Sequence, residues 1–460
     1  MGVLVAIETA EDTTSLSGLD RYFLITERGS SVSTEVRAGF TTFLAMAYII
    51  FVNPAILSNA IDFDGAFPQL LTVTALAAAF GTLVMGLWAK LPFALAPGIG
   101  LNAFFTFTVV LGMGMEWETA LGAVFLSGIL FLILSLTGAR AWILNAIPLF
   151  LKFAITVGIG AFLAMIGFAG AGIVSDSPAT FVTRGEWATL EVGMAFFGLI
   201  ATGALMALKV QGAMVIGIAA TTTLAIVTKA QVYVGPEGMQ SFPGFGGGVV
   251  GFTWPGELIG ALDIQGALSI GILGVVFTFL FVDFFDTAGT FIGLSDKAGM
   301  LDEKGRMTAP RRAFSVDALA TTVGDALGTS STTTYIESAA GIEDGARTGL
   351  ASVVTGLLFV AAVFFSPLAA IIPGVATAPI LILIGAMMSG AAKIDWADAR
   401  VAVRGFLTIM GMPPFTFSIT DGISLGIVSY TLIMATTGKA KEVHLVMYIL
   451  TVSLVWKYFV

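Results

Sequence analysis

The chain has 460 residues, of which 57% are hydrophobic and only 11% charged, with a net charge of −9. A soluble chain would carry roughly a quarter charged residues, so a water-soluble globule is excluded in favour of a polytopic, all-α membrane protein. Without cysteine there is neither a disulfide nor a thiolate mechanism, and a single histidine, His444, argues against a histidine-rich metal centre or proton wire.

Residues 1–35 hold Glu8, Glu11, Asp12 and Asp20 with no basic region ahead of an apolar core, so a cytoplasmic segment is expected rather than a cleaved signal peptide. Charge-free stretches follow at 38–61, 67–89, 91–115, 119–139 and 153–175. Each exceeds the roughly 20 residues that a spanning helix needs. The coarse count is seven apolar elements before residue 230 and at least seven after 265. Residues 235–254, rich in Gly and Pro, read as a loop on one face. Residues 349–392 run 44 positions without a charge, interrupted by Pro367, Pro373 and Pro379, and read as two spans and a hairpin. The apolar stretch 443–460 would make a fifteenth span; either it lies at the interface or an earlier element has been split.

Basic residues orient the chain. With Arg21, Arg28 and Arg37 inside, single crossings also place Lys90, Arg140 and Lys209 inside. So fall the cluster Lys297, Lys304, Arg306, Arg311 and Arg312, and then Lys393, Arg400 and Arg404. The opposite loops hold mainly Arg184 and Lys229. Both termini are therefore expected in the cytoplasm, with an even number of spans.

Two segments do not read as ordinary membrane helices. In residues 94–105 (ALAPGIGLNAFF), Pro97, Gly98 and Gly100 precede Asn102; in residues 328–341 (GTSSTTTYIESAAG), a β-branched run leads into Tyr335 and Glu337. Proline and glycine weaken a helix, and β-branched residues favour extended backbone. Such backbone survives at membrane depth only against protein or a water-filled cavity. The plainer alternative is that both are extramembrane loops. Asn102 is followed by an apolar stretch at 119–136 and Glu337 by one at 348–365, half a chain apart, which is what an inverted repeat of odd-numbered halves produces. Glycine-rich apolar helices also resemble one another through composition alone.

Acids within apolar sequence are the second signal. Asp283 and Asp286, three residues apart, share one side of a helix and are followed by more apolar chain. Three unpaired carboxylates at the bilayer centre, with Glu337 the third, would cost roughly 8–10 kcal/mol on the lenient insertion scale. A cavity, a bound proton or a ligand donor each reduces that cost; the bland alternative places the aspartates at a helix end. Asn53, before Pro54, either acts at the site or fills the backbone gap at a kink. Lys152 reads as a snorkelling or paired lysine, and Asp317 and Asp325 as gate or solvated mouth residues. There is no nucleotide-binding loop, zinc-hydrolase motif or cysteine–histidine cluster. No enzymatic activity, cofactor, metal or nucleic-acid partner is expected, and transport must be secondary or passive.

Residues 37–54 (RAGFTTFLAMAYIIFVNP), 96–105 (APGIGLNAFF), 282–289 (VDFFDTAG) and 327–342 (LGTSSTTTYIESAAGI) resemble the AzgA-like purine permeases of the nucleobase:cation symporter-2 superfamily. The resemblance spans nearly the whole chain. It implies a plasma-membrane permease importing adenine, guanine or hypoxanthine, by proton (or sodium) symport and an elevator-like movement, with a homodimer as one assembly. It implies fourteen transmembrane segments in a 7+7 inverted repeat, spans 3 and 10 being part strand. The implied division is a core domain at 36–140 and 265–366 (spans 1–4 and 8–11) and a gate domain at 141–232 and 367–460 (spans 5–7 and 12–14). Residues 233–264 form an extracytoplasmic loop between them. Asp283 and Glu337 match the family's substrate-binding acids, Asp286 a second span-8 acid needed for transport, and Asn102 the polar position on span 3. Asp286 and Glu337 are the candidates for proton exchange. Carboxylates suit purine N–H donors, while Asn102 and N–H groups beside Gly100 or Ser338 suit its acceptors. Phe104 and Tyr335 are candidates to stack on the ring, or simply pack. Asp325 departs from the apolar residue expected there and makes the outer rim more acidic. Competing readings are a uracil/xanthine transporter, an anion transporter of related architecture, a passive channel and a membrane-embedded enzyme.

Overall fold

The computed structural model describes residues 17–137, 147–235, 238–242, 244, 248, 250–269, 273–301, 307, 310–369, 371–390, 394–413 and 416–457. Glu8, Glu11, Asp12, Arg140, Lys304, Arg306 and Lys393 lie outside them. The first half comprises helices α1 (Val32–Met46), α2 (Ile49–Leu57) and α3 (Ala66–Val84), a short strand β1 (Leu95–Pro97), then α4 (Ile99–Ala103), α5 (Trp117–Thr137), α6 (Leu149–Gly170), α7 (Leu190–Ala207) and α8 (Ala213–Thr228). The second half repeats the order: α9 (Leu273–Lys297), α10 (Pro310–Leu327), strand β2 (Thr332–Thr334), α11 (Ser338–Glu343), α12 (Gly349–Ala362), α13 (Gly374–Gly390), α14 (Ala399–Met410), α15 (Ile419–Thr436) and α16 (Leu445–Lys457). Among the described residues seven helices are long and apolar enough to cross a membrane, α1 and α2 counting as one broken span, and further apolar helices are shorter.

Helix pairings occur in matched couples. Helix α12 packs on α3 as α5 packs on α10; α12 packs on α1 as α5 packs on α9. Later, α7 lies against α8 and α13, just as α15 lies against α16 and α6. Helix α14 also lies against α15 and α6. Only 12 residues long, α14 exposes Val403 and Phe406 while Arg404 is buried over the rings of Phe150 and Tyr430, the pattern of an amphipathic helix at a membrane interface.

Inside the bilayer no hydrophobic force drives helices together, so close backbone approach does. A Cβ on Gly385 (α13) would sit 2.3 Å from the carbonyl oxygen of Gly160 (α6), and one on Gly349 2.1 Å from that of Gly86. Some hydroxyls within helices return to the carbonyl four residues back, as Thr74 does to Leu70 and Thr278 to Gly274, and these add no unpaired polar surface. Glu35, wholly buried, accepts from the backbone N–H groups of Arg347 (2.8 Å), Thr348 (3.2 Å) and Ala351 (3.3 Å), capping α12 from another helix. Close by, Arg37 pairs with Asp344 and Arg28 donates to Lys90 O, so these basic residues share one end of the bundle.

Replacing a helical glycine by alanine ordinarily raises helix propensity by about 1 kcal/mol. Gly385→Ala is expected to lower the thermal midpoint in detergent nonetheless, by overpacking of about 1–3 kcal/mol, whereas Gly193→Ala in α7, with open space around it, leaves it unchanged or raises it. Fluorescence-monitored unfolding of both variants checks this.

Candidate functional site

Both interrupted segments break where the sequence predicts. β1 and β2 pair antiparallel, with Leu95 opposite Thr334, Ala96 opposite Thr333 and Pro97 opposite Thr332. All six residues are buried. Backbone groups beyond the ladder find partners too. Ala94 N donates to Ser338 Oγ (2.9 Å), Leu95 N to Thr82 Oγ1 (2.9 Å), Gly98 N to Ser331 O (2.8 Å) and Tyr335 N to Ala94 O (2.9 Å). The loop alternative is excluded. Asp317 of α10 fastens β2: its carboxylate accepts from Thr334 N (3.1 Å), Thr334 Oγ1 (2.9 Å) and Thr287 Oγ1 (2.7 Å).

Beside this crossing lies a cavity of about 870 Å³. Val282, Asp286 and Thr290 line it, one residue per turn of α9, together with Tyr48, Gly100, Tyr335 and Glu337. Asp286 and Glu337 are half-buried on this surface. Glu337 Oε1 accepts a hydrogen bond from Tyr48 OH at 2.6 Å. The Tyr335 hydroxyl donates to Pro97 O at 2.5 Å, which fixes the ring against β1. Lys209, Lys297, Glu343 and Asp344 border the cavity as well, which places its opening at the basic end of the bundle. There Lys297 pairs with Glu343 at 2.5 Å.

The predicted residues therefore divide. Asp286, Glu337, Gly100 and Tyr335 face the cavity. Asp283 does not; 2% exposed, it turns toward α10, where Thr321 Oγ1 lies 3.3 Å from its Oδ2. Asn102 is also away from the cavity: its Nδ2 donates to Asn53 Oδ1 (2.6 Å) and Thr329 O (3.2 Å). Asn53 in turn donates to Thr74 and Thr329, so it ties three segments together rather than filling a gap at Pro54. Phe104 is buried, edge-on to Phe279 with centroids 5.1 Å apart, a packing contact. Ser338 is spent on Ala94, and its N–H on Tyr335 O. Asp317 and Asp325 are both wholly buried, so neither is a solvated mouth residue and Asp325 does not lie on a rim. The sequence reading missed Tyr48, although a lone hydroxyl within the apolar run 43–52 was the available signal.

A model of the permease family matches residues 33–425. The adenine permease AdeP of Escherichia coli is 41% identical over 94% of this chain and 94% of its own length. The guanine/hypoxanthine permease PbuG of Bacillus subtilis is 43% identical over 93% of this chain and 96% of its own. Among solved structures, the transmembrane domain of the cyanobacterial bicarbonate transporter BicA superposes with a TM-score of 0.60 at 13% identity, over 86% of this chain and 97% of that one. SLC26A9 superposes at 0.62 and 11%, over 88% and 66%. These two share the fold alone, a 7+7 inverted repeat of membrane spans. The chain belongs to the permease family, within the nucleobase:cation symporter-2 superfamily that its motifs resemble.

Proposed function

We propose that this protein carries purine nucleobases (adenine, guanine or hypoxanthine) across the membrane, coupled to a proton. The observation that carries the proposal is the pair of carboxylates, Asp286 and Glu337, on the surface of a cavity beside the β1–β2 crossing. The similarity to purine permeases over more than nine-tenths of the chain supports the substrate class. A purine edge presents ring N–H and exocyclic amine donors, and carboxylates are acceptors. Glu337 and Asp286 meet those donors from the cavity surface, while Asp283, turned toward α10, supports α9 from behind. Tyr335 offers its ring face, and the backbone at Gly100 approaches closely because no side chain intervenes.

The mechanism we infer is an elevator-like displacement of a core, built on α1–α5 and α9–α12, against a gate of α6–α8, α13, α15 and α16, with α14 at the interface. The cavity opens toward Lys209 and Lys297, the end that the positive-inside rule assigns to the cytoplasm. On this reading the cavity belongs to an inward-facing stage of the cycle. Asp286 or Glu337 exchanges the coupling proton as the site alternates between faces.

Uptake of labelled adenine and hypoxanthine into cells lacking their own permeases tests the reading. A hydrogen bond to a charged group contributes about 1.5–3 kcal/mol, so Glu337→Ala and Asp286→Ala are each expected to lose at least about tenfold in uptake at equal expression. Full activity in both Asp286→Ala and Glu337→Ala overturns the site assignment. A protonophore is expected to abolish accumulation above equilibrium; accumulation that persists overturns proton coupling while leaving the substrate reading intact.

A further inference from the structure

Asp325 is wholly buried in the last turn of α10, and among the described residues neither of its carboxylate oxygens has a hydrogen-bond partner. Its neighbour two turns earlier, Asp317, is fully engaged. The chain reverses immediately after Asp325: Gly328 N donates to Gly324 O and Asp325 O, and Thr329 N to Gly324 O. Ser330 then adopts a left-handed φ of 64°, unusual for a residue with a side chain. The hydroxyls of Ser330, Ser331 and Thr332, each at most 1% exposed, also lack partners. Asn102 approaches the same reversal through its bond to Thr329 O, and its Oδ1 and the Thr106 hydroxyl one turn on are unpartnered as well.

Seven side-chain oxygens in two touching segments thus find no hydrogen bond. Hydroxyls rotate to reach any acceptor in range, so buried oxygens left without one lack a partner that the described residues do not supply. A hard cation, held by oxygen ligands, is such a partner. One carboxylate supplies one negative charge, which a monovalent ion neutralises and a divalent ion would overcompensate in an apolar interior. None of these residues lines the cavity. They lie beneath Leu258 and Gly260, whose N–H donates to Ala326 O.

We propose that Asp325, with the oxygens of Ser330, Ser331 and Asn102, binds a monovalent alkali cation of sodium size, at a site separate from the ligand cavity. The test uses the full-length protein in detergent with no nucleobase added, so its outcome is independent of the transport reading. Its thermal midpoint is measured against NaCl at constant ionic strength in choline chloride. Wild type is expected to show a saturable rise of several degrees that Asp325→Asn abolishes. Ser331→Ala, which keeps the charge, is expected to raise the half-saturating concentration about tenfold. Identical midpoints in sodium and choline, a sodium response retained in Asp325→Asn, or an unchanged half-saturation in Ser331→Ala each overturn the site.

Discussion

A chain that leaves the helical ladder inside a bilayer has to find every displaced hydrogen bond elsewhere in the protein, because lipid offers none. Here that demand falls on about a dozen backbone groups around β1 and β2, and the rest of the bundle is arranged to meet it. The strands satisfy each other across the two halves of the chain. Thr82, Ser338 and Asp317 take the groups that the strands leave over, and Ser352 Oγ donates to the carbonyls of Leu91 and Phe93 on the approach to β1. Polar residues that would be costly anywhere else in a membrane are thereby consumed as backbone partners. The extended crossing in turn lets the half-helices α4 and α11 begin within the bundle, where a ligand can meet polar groups without lipid beside it.

The same arrangement separates two kinds of buried acid. On α9 the residues at 282, 286 and 290 follow a spacing of four and present to the cavity, while 283 and 287 face α10 and β2. A difference of one residue, about 100° around the helix, decides whether a carboxylate faces the cavity or a threonine. Asp317 and Asp283 belong to the scaffold side; Asp286 and Glu337 belong to the cavity side.

Much of this was legible in the chain itself. Pro97, Gly98 and the Thr332–Thr334 run announce broken helices because their local preferences contradict the apolar span around them, and the structure breaks at those positions. Composition and span length report membrane residence directly. What was hidden depends on three-dimensional partners. Asp283 and Asp286 look equivalent until the rotation of α9 is known. Asn53 next to Pro54 suggests a local repair, but its partners are 21, 49 and 276 positions away. Glu35 reads as one more N-terminal acid, yet it caps a helix more than 300 residues later. Helix α14 carries Arg400 and Arg404, and only its packing shows Arg404 buried over Phe150 and Tyr430 while Val403 and Phe406 stay exposed.

The bond from Tyr48 to Glu337 carries a consequence of its own. Tyr48 belongs to the first broken span and Glu337 to the segment that follows β2, so the carboxylate already has one donor within the resting protein. On the proposed site assignment, an incoming molecule is measured against that tyrosine rather than against bulk water alone. A compound that offers no N–H displaces a good partner for nothing, while one that offers two keeps the acid satisfied throughout the exchange. Discrimination is thus set partly by an internal rival.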